Sequence, residues 1–202
     1  MDQIVYPRAI PDGSFATTKV VSSKAATLAV LAPGSAVAEV GVRHGDFTQM
    51  LLEDTTIGKV LAIDHYDLHI RTGGEDPRLN GLEHGAFVQT RFKRYLDDGK
   101  LEIVLGRRDA IKALDPGMVG AFFISGCRVF AQLMDELYMC DAKLPRGGLI
   151  WIGDYIMADY TTGEPYEVVR AVNEFVAQKS YEVVYFVLES NMFCSVMVRR
   201  PA

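Results

Sequence analysis

The stretch Ala36-Val37-Ala38-Glu39-Val40-Gly41-Val42-Arg43-His44-Gly45-Asp46 constrains the fold more than any other part of the chain. Ala36 to Val40 is a short, β-branched apolar run suited to a strand buried on both faces, and Asp46 to Leu52 spaces its apolar residues as a helix does. Gly41 and Gly45 punctuate the connection. Glycine there permits positive φ and close approach of the backbone to a ligand, while the helix N-terminus behind it offers free N–H groups. Strand, tight turn and helix together read as a nucleotide-type binding turn.

Spacing and Glu39 decide which nucleotide. A dinucleotide fingerprint is Gly-x-Gly-x-x-Gly with a pyrophosphate on the helix N-terminus, and an acid just before the first glycine repels that phosphate. Here the pattern is Glu-x-Gly-x-x-x-Gly. It resembles the first motif of class I S-adenosylmethionine-dependent methyltransferases, whose ligand carries a sulfonium and an ammonium in place of phosphates. Taken alone, the motif also fits a plain structural turn of any parallel α/β domain.

A length of 202 residues suits one domain spanning 1–202. Net charge is −5 and no basic face is evident, which argues against nucleic acid or an anionic membrane as partner and leaves small-molecule ligands. A homodimer is left open. Cys127, Cys140 and Cys194 are odd in number and lack C-x-x-C spacing, so buried thiols are expected. With no basic-plus-apolar leader and no run of about 18 apolar residues, the expected location is cytoplasmic.

Residues 1–16, with Pro7, Pro11 and Gly13, read as an irregular lead-in, and Thr17 to Leu31 as a helix stopped by Pro33-Gly34. Lys59 to Asp64 is a second buried strand ending in an acid. In an open parallel sheet the ligand lies across the carboxyl ends of the strands, so Asp64 is placed to meet ribose hydroxyls; a turn acid or helix cap is the alternative. Residues 66–83 form a polar loop insertion containing Gly73-Gly74, Pro77 and Gly81, the kind of long loop that often serves as a mobile lid. His65, His69 and His84 lie in or beside it without metal-ligand spacing.

A helix through Phe87, Phe92, Tyr95 and Leu96 then leads to a strand at Leu101 to Leu105 and the turn Gly106-Arg107-Arg108-Asp109. Further strands are expected at Ala121 to Gly126 and at Leu149 to Ile152, and helices at Val129 to Cys140 and Tyr166 to Gln178. Ser180 to Glu189 and Met192 to Arg200 read as a closing hairpin.

The string L-P-x-G-G-L-I-x-x-x-D-Y from Leu144 to Tyr155 is a second resemblance, to the small-molecule and sugar O-methyltransferases (methyltransferase family 24-like). The two resemblances imply an α/β fold: a Rossmann-like, seven-stranded, mostly parallel sheet with helices on both faces and a C-terminal antiparallel hairpin. They imply S-adenosyl-L-methionine as cofactor, met by Glu39, Gly41, Val42, Arg43, Gly45, Asp64, His65, Asp109 and Ser125. For Asp109, which would meet the adenine amine, a simple helix cap is the alternative.

The chain departs from that subfamily where its metal acids lie. Ile-Asp-Gly-Asp-His is replaced by Ile124-Ser125-Gly126-Cys127-Arg128, and Asp-Asp-Tyr by Gly153-Asp154-Tyr155. One acid is too few for an octahedral magnesium shell, so no metal is expected. Asp154, Tyr155 and Arg128 remain as catalytic candidates, Arg128 suiting an anionic substrate or a surface ion pair. The expected activity is methyl transfer to oxygen, or less readily nitrogen, of a small molecule or sugar. The alternative is a non-catalytic nucleoside-binding protein on the same fold.

Overall fold

The computed structural model describes residues 6–202, so the start of the lead-in lies outside the described residues. Eight strands form one sheet: β1 Lys19–Val21, β2 Ala36–Val40, β3 Lys59–Asp64, β4 Leu101–Leu105, β5 Ala121–Ile124, β6 Leu149–Ile152, β7 Glu182–Leu188 and β8 Cys194–Arg199. Their order is β1-β7-β8-β6-β5-β2-β3-β4. Every pairing is parallel except those of β8, which runs antiparallel to both β6 and β7. The helices are α1 Asp46–Glu53, α2 Leu68–Arg71, α3 His84–Arg91, α4 Lys93–Asp97, α5 Arg108–Ala113, α6 Phe130–Lys143 and α7 Val168–Lys179.

The apolar runs become central strands because both of their faces are covered. Ala38, Val40, Ile63, Phe122 and Ile152 pack on one side beneath α5, α6 and α7. Val37, Val60, Ala62, Phe123 and Trp151 pack on the other, against α1, Val88 of α3 and Phe92. Alternation along each strand divides one continuous apolar run between two cores.

Three expectations need correction. Thr17 to Leu31 is not one helix: its β-branched Thr17, Thr18, Val20 and Val21 favour extended backbone. Lys19 to Val21 instead pairs with Tyr185 to Val187, adding an eighth strand to the seven expected, and only Ala25–Val30 winds into a 3-10 helix. The helix through Phe92 is split, since that residue leaves helical geometry (φ −113°, ψ 18°) and buries its ring against Gly45 at the start of α1. Of the three thiols, Cys140 alone is buried; Cys127 and Cys194 are half-exposed.

The 66–83 insertion contains α2 and the short turn Pro77–Leu79, and it is tied down. Arg78 grips Asp46 with two hydrogen bonds of 2.9 and 2.6 Å, and Asp76 meets His44 at 2.7 Å. The segment is therefore fastened to the mouth of the glycine turn.

Candidate active site

The carboxyl ends of β2, β3, β5 and β6 open into a crevice of about 1140 Å³, at the point where strand order reverses direction. Glu39, Gly41, Val42, Arg43, Asp64, His65, Asp109, Ser125, Arg128 and Asp154 all line it. Gly45 and Tyr155 do not.

Gly41 has φ +98° and no room for a side chain: a Cβ there would sit 2.4 Å from the Ser125 carbonyl oxygen. Ser125 Oγ donates back to the Gly41 carbonyl at 2.9 Å, which ties the ends of β2 and β5 together across the crevice floor. Gly45 serves packing. A Cβ on it would lie 2.5 Å from the Phe92 ring, so this glycine lets the insertion's neighbouring helices close on α1 and does not face the crevice.

Glu39 is 1% exposed and accepts a hydrogen bond from the Thr48 hydroxyl of α1. Burial disfavours the charged carboxylate and pushes its pKa up to about 8. The attraction of Lys24 only partly offsets that burial. A cation placed beside it would favour the charged form.

Asp64 is already engaged. Its Oδ2 accepts from the backbone N–H of Val42 at 2.7 Å and of Arg43 at 3.2 Å, and Oδ1 accepts from Tyr66 N–H at 3.2 Å. A carboxylate offers about four lone-pair sites. One stays open, so a diol could donate one hydrogen bond to it directly and a second only if the long Arg43 contact loosened.

Asp154 stands half-buried at the end of β6 with φ +55°. Burial raises its carboxyl above the usual range, while Lys24, Arg128 and Arg43 pull it back. Tyr155 turns the other way: its hydroxyl donates to Asn173 at 2.5 Å and its ring packs on Phe186, outside the crevice. Burial pushes that hydroxyl up to about 12, and the structure places Tyr155, expected from the sequence as a catalytic candidate, away from the crevice lining. Arg128 pairs with Glu164 at 2.7 Å and lies over the Tyr166 ring at 4.3 Å. Asp109 is fully exposed at the rim, 3.8 Å from Lys112, and His65 is exposed beside Asp64.

Two wall residues escaped sequence reasoning. Arg107 makes a fork with Glu136 of α6, at 2.5 and 3.0 Å, and donates to the Ser125 carbonyl at 2.7 Å. Its pattern signal was the pair Arg107-Arg108 in the turn after the strand Leu101 to Leu105. Lys24 reaches the crevice from the N-terminal segment and pairs with Glu189 at 3.2 Å; read inside a helix, it gave no signal. Among the described residues, no three His, Cys, Asp or Glu side chains converge as metal ligands would.

With that geometry in view, the fold is that of the S-adenosylmethionine-dependent methyltransferases: solved structures with these names superpose on most of the chain. The pyocyanin biosynthetic protein PhzM is 12% identical with a TM-score of 0.60, covering 87% of this chain and 53% of its own, so the chain spans about half of PhzM. The N-methyltransferase NodS from Bradyrhizobium japonicum WM9, in complex with S-adenosyl-L-homocysteine, is 14% identical with a TM-score of 0.58, covering 87% and 82%. An S-adenosylmethionine-dependent O-methyltransferase from Thermotoga maritima is 13% identical with a TM-score of 0.57, covering 88% and 63%. No protein-family model matches the sequence, and no curated protein matches it.

Proposed function

We propose that this protein binds S-adenosyl-L-methionine and transfers its methyl group to an oxygen of a small molecule or sugar, in the manner of the subfamily that Leu144 to Tyr155 resembles. The observation that carries the reading is the Glu39 to Gly45 turn: a glycine at positive φ on the crevice floor, beside a buried acid that, among the described residues, has no Lys or Arg within 4.0 Å. The donor set fits the cofactor. Glu39 and the Gly41 to Arg43 backbone would hold the methionine end, Asp64 the ribose, and the Gly106 to Asp109 turn the base.

When bound, the cofactor supplies an electrophilic methyl carbon whose bond to sulfur breaks, leaving the electron pair on a neutral thioether. The chain's task is to position the acceptor and take its proton. Asp154 is the carboxylate suited to that. Its burial raises its basicity, and its position across the crevice from the glycine turn aims it at the space between cofactor and acceptor.

Calorimetry with S-adenosylmethionine, S-adenosylhomocysteine and NAD tests the reading. Both sulfur compounds should bind and NAD should not, and Asp64→Ala should weaken binding by roughly ten- to a hundredfold, the cost of a lost buried acceptor. Tight NAD binding, or an Asp64→Ala variant that binds as the parent does, would sink it.

A second reading, a nucleoside-binding protein without transfer chemistry, has one observation in its favour: Ser125 and Gly153 replace two of the subfamily's strand-end acids. Binding of S-adenosylhomocysteine without turnover over a broad acceptor panel favours it.

A further inference from the structure

Arg43 and Asp154 are both non-glycine residues with positive φ, 51° and 55°, and both line the crevice. Left-handed backbone is unfavourable for an ordinary residue and persists only where its surroundings hold it. At Arg43 the holding groups are backbone partners: its N–H bonds Asp64, and its carbonyl accepts from His84 Nε2. The turn thus fixes the direction in which the side chain leaves without using the side chain itself.

That side chain is the exception on the crevice wall. The other seven Lys and Arg residues there each have a carboxylate within 4.0 Å. Among the described residues, Arg43 has none. An exposed cation held by strained backbone and pointed into a crevice is a poor use of the position unless something anionic meets it. The net charge of −5 strengthens the point, because the molecule as a whole does not attract anions and a local cation must do so. Lys24, Arg128 and Arg43 line the same crevice as Asp154.

We infer that the acceptor is anionic, with a carboxylate or phosphate that pairs with the Arg43 guanidinium while its hydroxyl faces Asp154. The inference rests on the methyl-transfer reading. A guanidinium fork matches both anions in bidentate geometry, and pairing there orients the molecule across the crevice.

The test uses the full chain saturated with S-adenosylhomocysteine, titrated calorimetrically with benzoate, inorganic phosphate and, as the neutral isostere of benzoate, benzamide. Arg43→Asn is the informative variant, because asparagine tolerates left-handed backbone and leaves the turn intact. Thermal melting confirms folding. At least one anion should bind the parent, weaken about tenfold or more in Arg43→Asn, and outcompete benzamide. Arg43→Lys should restore part of the loss.

The inference is overturned if neither anion binds at about 10 mM, if benzamide binds as well as benzoate, or if parent and variant bind the anions alike. It is also overturned if Arg43→Asn instead lowers affinity for S-adenosylhomocysteine about tenfold, since the guanidinium would then serve the cofactor's own carboxylate. Failure of the parent to bind S-adenosylhomocysteine refutes the methyl-transfer reading alone. The same titrations on the ligand-free chain then decide whether Arg43 forms an anion site.

Discussion

Replacing Glu39 by glutamine probes the centre of the site directly. Burial raises the Glu39 carboxyl from 4.5 to about 8. Between those values the folded chain holds a proton that the unfolded chain has released. The unfolded state then binds fewer protons than the native state, so stability falls as pH rises through that window and levels off above about 8. At about 1.4 kcal/mol per pH unit, the full window corresponds to roughly 5 kcal/mol at most. Glutamine mimics the neutral acid, and its side-chain carbonyl still accepts from the Thr48 hydroxyl. The two proteins should therefore be nearly equal in stability at pH 5. The variant should gain on the parent by about 2–5 kcal/mol at pH 8.5, measured by urea unfolding at both pH values. Taking the difference between parent and variant cancels every other titrating group. Glutamine cannot become an anion, so the parent should release a proton on binding S-adenosylmethionine at pH 7 and the variant should not, read from calorimetry in two buffers of different ionisation enthalpy. A stability difference that does not change with pH would refute the argument, because Glu39 would then titrate alike in both states.

Three further outcomes are expected. Gly41→Ala forces a methyl to 2.4 Å from the Ser125 carbonyl at positive φ and should cost about 2–4 kcal/mol by denaturant melting; an unchanged midpoint means the turn relaxes freely. Asp154→Asn should keep S-adenosylhomocysteine affinity but lower transfer to an identified acceptor by ~10²–10⁴, the range for loss of a general base; parental turnover clears Asp154 of the role. Ligand binding and any turnover should survive EDTA, since Ser125 and Gly153 supply no carboxylate beside Asp154; turnover restored by magnesium contradicts this.

Much of the fold was legible because burial on both faces writes itself into composition. Val60 to Ile63 and Phe122 to Ile124 are apolar without alternation, which a half-exposed strand could not be. The hairpin announced itself through two β-rich runs, and β8 indeed turns antiparallel between β6 and β7. β1 was hidden. It has three residues, two of them exposed, and its extended state is set by pairing with β7 across more than 160 positions, which no local pattern reports. Phe92 likewise breaks a helix-like pattern because a cavity beside Gly45 accepts its ring.

At the site, residue types and spacing located the acids but not their partners. Glu39, Asp64 and Asp154 are all drawn to one crevice because each lies at or just beyond the carboxyl end of a parallel strand of the same sheet, and strand ends are fixed by the apolar runs before them. What each acid does there depends on groups far away in sequence. Asp64 spends three of its acceptor sites on Val42, Arg43 and Tyr66 before any ligand arrives. Those bonds hold the glycine turn in the shape that leaves Gly41 buried on the crevice floor and Arg43 exposed. A ligand hydroxyl taking the Arg43 N–H's place on Oδ2 would release one of the two bonds that keep Arg43 left-handed. On the methyl-transfer reading, a ribose at Asp64 and the aim of the Arg43 side chain would then be coupled through a single carboxylate oxygen, because the same Oδ2 that would meet the hydroxyl already accepts from the Arg43 N–H.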